Sequence, residues 1–526
     1  MLFNSYIFIL FFVVFANLYW LLRHHWRFQN LLILVGSYIF YGWWDERFLI
    51  LIMISTVTDY VTALGIVKEK PTLRQGIGLS LFLLLGATFL LSLSSLADSV
   101  WMLGLIFAFV GLGWITHGWL MQFEDNLRKR AFVTVSIVVN LGILGFFKYF
   151  NFFADSFQQS ATLLGWNVDS VTLNIILPVG ISFYTFQTMS YTIDIYREQF
   201  KPTRKFIEFA AFLAFFPQLV AGPIERAKHL LPQFMRSRTP NLADIRTGLW
   251  LCIWGLYKKI VIADNLAPIV NKVFADPSVA SSGELLAAIL AFTFQIYCDF
   301  SGYTDIARGL ARMLGFDIML NFNIPYIART PSEFWRRWHI SLSTWLRDYL
   351  YISLGGNRYS NILTYRNLTL TMLLGGLWHG AAWNFVLWGG YHGLILVIYR
   401  LLRVDNWLTQ RTAPIMLQRL QDVALIILMF ILTCFGWLLF RSPSMETIWA
   451  FLVGMNGFKY NSPFFATIAF YIWPLLAFQV LQLWCKNLEP LGNIVWFLRF
   501  NIQLFVIFSL LFLSSKGGQQ FIYFNF

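Results

Sequence analysis

Leu368-Thr369-Leu370-Thr371-Met372-Leu373-Leu374-Gly375-Gly376-Leu377-Trp378-His379-Gly380-Ala381-Ala382-Trp383-Asn384, continued by the apolar run Phe385–Leu402, sets the architecture of this chain. Two apolar stretches, Leu368–Trp378 and Phe385–Leu402, are joined by His379-Gly380-Ala381-Ala382-Trp383-Asn384. Arg366 stands before the pair, and Arg400 and Arg403 stand after it. Basic flanks at both ends put those ends on the same side of a membrane. The pair therefore reads as a hairpin with His379 at or near its buried turn. An ionisable side chain at that depth is costly and marks a candidate functional site. Taken alone, His379 reads equally well as a buried, hydrogen-bonded side chain in a Gly-rich turn.

The composition agrees with a membrane fold. Of 526 residues, 58% are hydrophobic, 19% aromatic and only 12% charged, with a mean hydropathy of +0.62. Soluble domains carry about twice that charged fraction. The expected fold is an all-α polytopic membrane protein, and a water-soluble class is excluded. The 22 Trp and 54 Phe suit interfacial belts and lipid-facing helix surfaces. A net charge of +13 reflects basic cytoplasmic loops, and no nucleic-acid partner is expected. Cys252, Cys298, Cys434 and Cys485 have no paired spacing, so neither a disulfide framework nor a metal site is expected.

Met1–Leu22 lacks a basic leader and a small-residue cleavage site, so it reads as a first spanning helix. Further spans are expected near 31–44, 48–67, 77–96, 101–121, 131–149 and 175–196. Arg23 and Arg27, Lys68 to Arg74, Arg128 to Arg130, and Arg197 to Lys205 fall on one side. The intervening loops, including the acidic 96–98 turn and 151–173 with no Lys or Arg, fall on the other. The positive-inside rule then places the N-terminus outside and the 197–205 loop in the cytoplasm. Residues 206–222 are apolar but have basic residues at both ends. Phe216-Pro217-Gln218 and Ala221-Gly222-Pro223 interrupt them, so a re-entrant or cytoplasm-facing element is expected. Later spans fall near 245–263, 285–303, 422–440, 464–484 and 495–513.

A second stretch carries the charge: Phe334-Trp335-Arg336-Arg337-Trp338-His339-Ile340-Ser341-Leu342-Ser343-Thr344-Trp345-Leu346-Arg347-Asp348-Tyr349, then Gly355-Gly356-Asn357-Arg358. From Arg308 to Arg366 the basic residues are all arginines. Guanidinium groups bind phosphate bidentately and stack on rings. Arg336, Arg337, Trp338, Trp345, Arg347 and Arg358 are therefore candidates for a nucleotide-bearing cosubstrate. Anchoring to anionic lipid explains the same residues equally well. Among the seven histidines, His24, His25, His117 and His229 read as interfacial or solvated. His392 reads as a core side chain or as a partner that orients the site. His379 and His339 remain as groups able to take and return a proton near neutral pH.

At these residues the chain resembles the bacterial membrane-bound O-acyltransferases, in the branch of the alginate O-acetylation membrane subunit and its peptidoglycan-acetylating relatives. The resemblance rests on the two stretches above and on three more. These are Leu177-Pro178-Val179-Gly180-Ile181-Ser182-Phe183, Phe215-Phe216-Pro217-Gln218 with Gly222-Pro223-Ile224, and Gln295-Ile296-Tyr297-Cys298-Asp299-Phe300-Ser301-Gly302-Tyr303. It implies a helical bundle around a central tunnel, with His379 catalytic and His339 as the second motif histidine. Asp299, Tyr303 and Asn384 are candidates for orienting them. The expected layout is N-terminal helices over 1–140, a catalytic core over 141–440 and C-terminal helices over 441–526. The helix pair near Ile77–Met121 does not map onto the family's N-terminal pattern.

The implied reaction moves acetyl from a cytoplasmic thioester, acetyl-coenzyme A, to an extracytoplasmic polysaccharide. A separate SGNH-hydrolase-like acetyltransferase is the expected partner. The rival readings are D-alanyl transfer to teichoic acid from a carrier protein, a transporter or export channel with histidine proton relays, and a membrane scaffold.

Overall fold

The computed structural model describes residues 1–93, 99–166, 172–173, 175–220, 222–457, 461–515 and 521–522. The expected 96–98 turn and Ala221 lie outside them. Among the described residues there are helices and no strands. Seven helices among the described residues are long and apolar enough to cross a membrane. The chain divides into two compact units, Met1–Arg246 with Leu310–Ile318, and Thr247–Gly309 with Met319–Phe526.

The first unit contains α1 (Tyr6–Leu21), α2 (Trp26–Gly42), α3 (Leu49–Ile66), α4 (Leu73–Leu93), α5 (Ser99–Leu120), α6 (Asp125–Leu144), α7 (Phe150–Leu163), α8 (Ile181–Tyr196), α9 (Phe206–Leu213), α10 (Phe216–Leu219) and α11 (Ala227–Phe234). The starts of α1 to α6 and of α8 fall within about six residues of the expected spans. One expected loop is corrected: α6 continues through a π-turn at Gly145–Tyr149 into α7. Phe150–Leu163 contains no Gly or Pro to stop the helix. It ends at Leu163 with Leu164 as its cap, followed by Gly165, whose φ of +80° is the left-handed conformation that glycine supplies most readily after a helix. The apolar stretch 206–222 is broken just ahead of Pro217: α9 has eight residues and α10 four. Eight residues rise about 12 Å, well short of the roughly 30 Å bilayer core.

Polar side chains hold the first unit together where lipid gives helices no hydrophobic reason to associate. Asp59 on α3 is fully buried. It accepts hydrogen bonds from Ser136 Oγ (2.6 Å) and Asn140 Nδ2 (2.9 Å) on α6. Ser136 in turn meets Thr192 of α8 at 2.8 Å. Arg238, 3% exposed, donates to Tyr19 Oη (2.9 Å), Asn30 Oδ1 (2.7 Å) and the Gln233 carbonyl (2.8 Å).

His229 is not simply solvated. It lies 3.0 Å from Glu225 Oε2 and 3.6 Å from Asp317 Oδ2. The Asp317 and Glu225 carboxylates raise its pKa from 6.5 to about 10, outweighing partial burial. A raised histidine pKa contributes stability that is complete below the unfolded value and is lost as pH rises through the folded one. Between pH 7 and about 10 the melting temperature should fall, and His229→Gln should flatten that slope. Thermal melts of both proteins across this window test the assignment.

The second unit takes in α12 (Leu242–Leu256) from Thr247 onward, α13 (Asp264–Ala275), α14 (Ser282–Met313) up to Gly309, α15 (Pro331–Trp335), α16 (Ile340–Trp345), α17 (Asn361–His379), α18 (Trp383–Leu401), α19 (Val404–Thr409), α20 (Ile415–Arg441), α21 (Met445–Gly454), α22 (Phe464–Cys485) and α23 (Trp496–Phe512). The expected span 285–303 is corrected to a 32-residue helix, α14. Its polar end stays helical because Arg308 pairs with Glu489 (3.2 Å) and with Asp305 one turn back (3.8 Å). The expected hairpin forms as α17 and α18. These helices touch at glycines: a Cβ on Gly376 would lie 2.2 Å from the Phe385 carbonyl oxygen, and one on Gly389 2.3 Å from that of Met372. Small residues at the crossing let the two backbones meet.

Candidate active site

The site is built on a short hydrogen-bonded turn. Asn323 N–H donates to the Arg337 carbonyl (2.9 Å), and Ile340 N–H donates to the Asn321 carbonyl (3.0 Å). The Asn321 side chain, fully buried, accepts from Ser341 Oγ (2.7 Å) and Ser341 N–H (3.2 Å), and its Oδ1 lies 3.3 Å from His339 Nδ1. His339 itself has φ +42° and ψ +55°. A non-glycine residue held left-handed stores strain that its surroundings must enforce, and such residues cluster at functional sites. Asn321 enforces it from both sides of the turn.

His379 closes α17 and is 4% exposed, while His339 is fully buried. Their ring centroids are 6.4 Å apart with planes at 60°. That is too far for one ring to hydrogen-bond the other, and close enough for one reacting group between them to meet both. Aromatic rings wall the pair. Phe300 stands edge-on to His339 at 4.7 Å. Trp378 and Trp388 each lie 5.0 Å from His379, and Phe440 lies 5.4 Å away. Burial pushes the His339 imidazole down to about 3, so it is neutral near pH 7. It can donate or accept a hydrogen bond and brings no charge of its own.

The structure places the remaining candidates as follows. Asn384 Nδ2 donates to the Phe440 carbonyl at 3.2 Å, and the Phe440 ring is the one that packs on His379. Tyr303 is buried and packs on Phe521 at 4.7 Å. Asp299 pairs with Lys259 at 2.7 Å and accepts the Ile522 N–H at 2.7 Å. Its neighbour Phe300 carries the contact to His339. His392 stacks parallel to Phe334 and lies 4.7 Å from Trp388. It is therefore one ring removed from His379.

The arginine-rich candidates separate into two groups. Arg336 and Arg337, with Arg329, line one cavity of about 530 Å³ that also includes Asn323, Glu333 and Asn406. Glu333 ties down two of them: Arg337 at 2.9 Å and Arg329 at 3.1 Å. Arg336 is exposed. Trp338, Trp345, Arg347 and Arg358 are not in that lining. Trp338 is 1% exposed and packs on Trp437 at 4.7 Å and Phe322 at 5.0 Å, so its ring is a core element. Trp345 is buried against Tyr349. Arg347 pairs with Asp348 at 2.7 Å, and Arg358 is exposed.

Three parts of the site escaped the motif reading. Asn321 precedes the arginine-rich run and had no pattern to mark it. Phe440 reads as an ordinary apolar residue at a span end. Lys258 and Lys259 did carry a signal, because two lysines interrupt an otherwise apolar stretch. A π-helical turn at Tyr257–Ala263 carries both inward. Lys258 meets Asp305 at 2.8 Å and Ser301 at 2.9 Å. Lys259 meets Asp264 at 2.8 Å and Asp299 at 2.7 Å.

Asn321→Ala should leave the protein folded while releasing His339 from its turn. A misplacement of about 1 Å at a reacting centre costs on the order of 10²-fold. Turnover should fall towards that value, with little change in donor affinity. Steady-state kinetics of the variant check this.

The helical membrane fold thus buries two histidines within one aromatic wall, where a single reacting group could meet both. The model of the MBOAT, membrane-bound O-acyltransferase family matches residues 197–439. The chain is 42% identical over 461 residues to the probable alginate O-acetylase AlgI of Azotobacter vinelandii, covering 87% of this chain and 78% of that one. It is 33% identical over 455 residues to the peptidoglycan O-acetyltransferase of Helicobacter pylori, covering 77% and 84%. Similarity to the teichoic acid D-alanyltransferase of Streptococcus thermophilus is 28% over 246 residues, covering 44% and 58%. The chain belongs to the membrane-bound O-acyltransferase family and is a multi-pass membrane acyltransferase.

Proposed function

We propose that this protein takes acetyl from acetyl-coenzyme A at the cytoplasmic face and passes it to an acceptor for O-acetylation of an extracytoplasmic polysaccharide. The observation that carries this reading is the pair of buried imidazoles 6.4 Å apart, in a chain that aligns along most of its length with an alginate and a peptidoglycan O-acetylating protein. His379 takes the proton from the acceptor hydroxyl as its oxygen bonds to the thioester carbonyl carbon. The carbon–sulfur bond then breaks, and the same proton leaves with the coenzyme A thiol. His339, neutral and fixed by Asn321, holds the carbonyl or the acceptor. The first acceptor is a hydroxyl of a separate extracytoplasmic acetyltransferase, which completes delivery to the polymer.

The Arg329–Arg336–Arg337 cavity receives the donor's phosphates. Arg329 and Arg337 are preset by Glu333, and Arg336 is the most exposed of the three. Charge-assisted hydrogen bonds are worth about 1.5–3 kcal/mol, so Arg336→Gln should raise the acetyl-coenzyme A KM about tenfold or more. kcat should stay nearly unchanged, because the phosphates are bound alike in ground and transition states. Initial rates at varied acetyl-coenzyme A decide the matter. Inactivity with acetyl-coenzyme A and activity with an acyl carrier protein would replace this donor with a carrier thioester.

A further inference from the structure

The helix pair that the family resemblance leaves unplaced, α4 and α5, encloses a cavity of about 240 Å³ with α3 and α6. Val61, Leu83, Phe109, Gly113 and Val135 line it, so its wall is almost wholly hydrocarbon. Its neighbours α4 and α5 are themselves lipid-facing: only 22% and 17% of their apolar windows are buried, against 78% for α3. At Gly113 a Cβ would meet nothing within 4 Å. The space is therefore open where a side chain could fill it.

Thr58, Thr62, Ser80, Thr116 and His117 supply the few polar atoms of its wall, and His117 alone of these has a buried side-chain atom that lacks a hydrogen bond among the described residues. His117 lines it, is 7% exposed and packs on Phe132 and Trp114. Its Nε2 has no hydrogen-bond partner among the described residues. Trp114, by contrast, donates to Ser80 Oγ at 3.0 Å. A buried polar atom without a partner is costly, and such atoms in native proteins call for an explanation. His117 lies in the last turn of α5, at the end of the four-helix group where α3 finishes and α4 and α6 begin. Lys70, Arg74 and Arg130 are exposed at that same end. They enter no ion pair among the described residues.

We propose that this cavity binds an anionic phospholipid, with one acyl chain between α3, α5 and α6. The ester or phosphate oxygen accepts from His117, and the headgroup lies among Lys70, Arg74 and Arg130. A single hydrocarbon chain suits a narrow apolar cavity that opens sideways to lipid, and three unpaired cations at its polar end select negative charge. The transmembrane helix of a partner, about 10–12 Å across with its side chains, would need a wider groove than this cavity provides.

The test uses the full-length protein in nanodiscs doped with phosphatidylglycerol or phosphatidylcholine, each carrying a photoreactive diazirine in one acyl chain. The expected result is labelling of the Leu112–His117 peptide by the phosphatidylglycerol probe, about fivefold above the phosphatidylcholine probe. Gly113→Phe should remove that labelling, while Gly104→Phe, on the open face of the same helix, should not. Lys70→Gln, which removes one of the three cations, should reduce the preference for the anionic probe from about fivefold to about threefold. His117→Leu, which keeps the cavity apolar, provides a second variant and should weaken labelling without unfolding α5. Equal labelling by both probes, or labelling indifferent to Gly113→Phe, would overturn the proposal. So would labelling that vanishes when a membrane partner is co-reconstituted, since the cavity would then seat that partner's helix.

Discussion

Alanine at position 379 should lower acetyl transfer by a factor of about 10²–10⁴, the range over which a positioned proton-transfer group acts. The protein should remain folded in the membrane with only a modest fall in melting temperature from the gap left behind, because Trp378, Trp388 and Phe440, which pack on the imidazole, are uncharged rings. Those contacts keep the site dry, so a small residue leaves a gap but does not uncover a charge. His379→Gln retains a hydrogen-bonding end and should still be deeply impaired, because an amide cannot accept the proton. Comparing the two variants separates proton transfer from simple packing. Activity close to wild type in both would remove His379 from the reaction.

The largest stability effect should come from Lys259→Met. Lys259 is 6% exposed and lies between Asp264 and Asp299, which are 2% and 1% exposed at their side chains. Removing the cation leaves two carboxylates without their counter-charge, and breaking a buried pair from one side costs about 3–5 kcal/mol. The melting temperature in detergent should fall by several degrees. Replacing both acids as well, in a Lys259→Met, Asp264→Asn, Asp299→Asn protein, should recover much of it, because no uncompensated charge then remains. A Lys259→Met protein that melts with the wild type would show the triad to be energetically idle. Asp299 also accepts the Ile522 N–H, and its neighbour Phe300 faces His339, so loss of the triad should reduce activity as well as stability.

Much of the fold was legible because membrane helices advertise themselves by length and apolarity. Tyr6–Leu21, Phe464–Cys485 and Trp496–Phe512 fall within a few residues of the runs that forecast them. The hairpin around His379 was readable from its equal basic flanks. The misreadings came where polarity and structure part company. Residues 150–163 looked like a loop because they lack basic charge and contain Asn, Gln and Ser, yet nothing in them ends a helix before Gly165. Trp338 looked like a stacking platform because it adjoins arginines. Its backbone turn instead sends the ring into a core of Phe322 and Trp437. Sequence proximity brought Arg336 and Arg337 together, but Arg329 joined them through Glu333, a pairing that only helical spacing could suggest. Asn321 was invisible, since a side chain that shapes a distant turn leaves no local pattern.

The most direct test is the appearance of labelled acetyl outside proteoliposomes that contain acetyl-coenzyme A only in the lumen, with the purified partner acetyltransferase outside. Protein oriented with the arginine-lined cavity towards the lumen should transfer label to the external partner, and His379→Ala should not. Label that stays in the lumen with the wild-type protein, or that crosses equally well with His379→Ala, would contradict acyl transfer at the paired histidines.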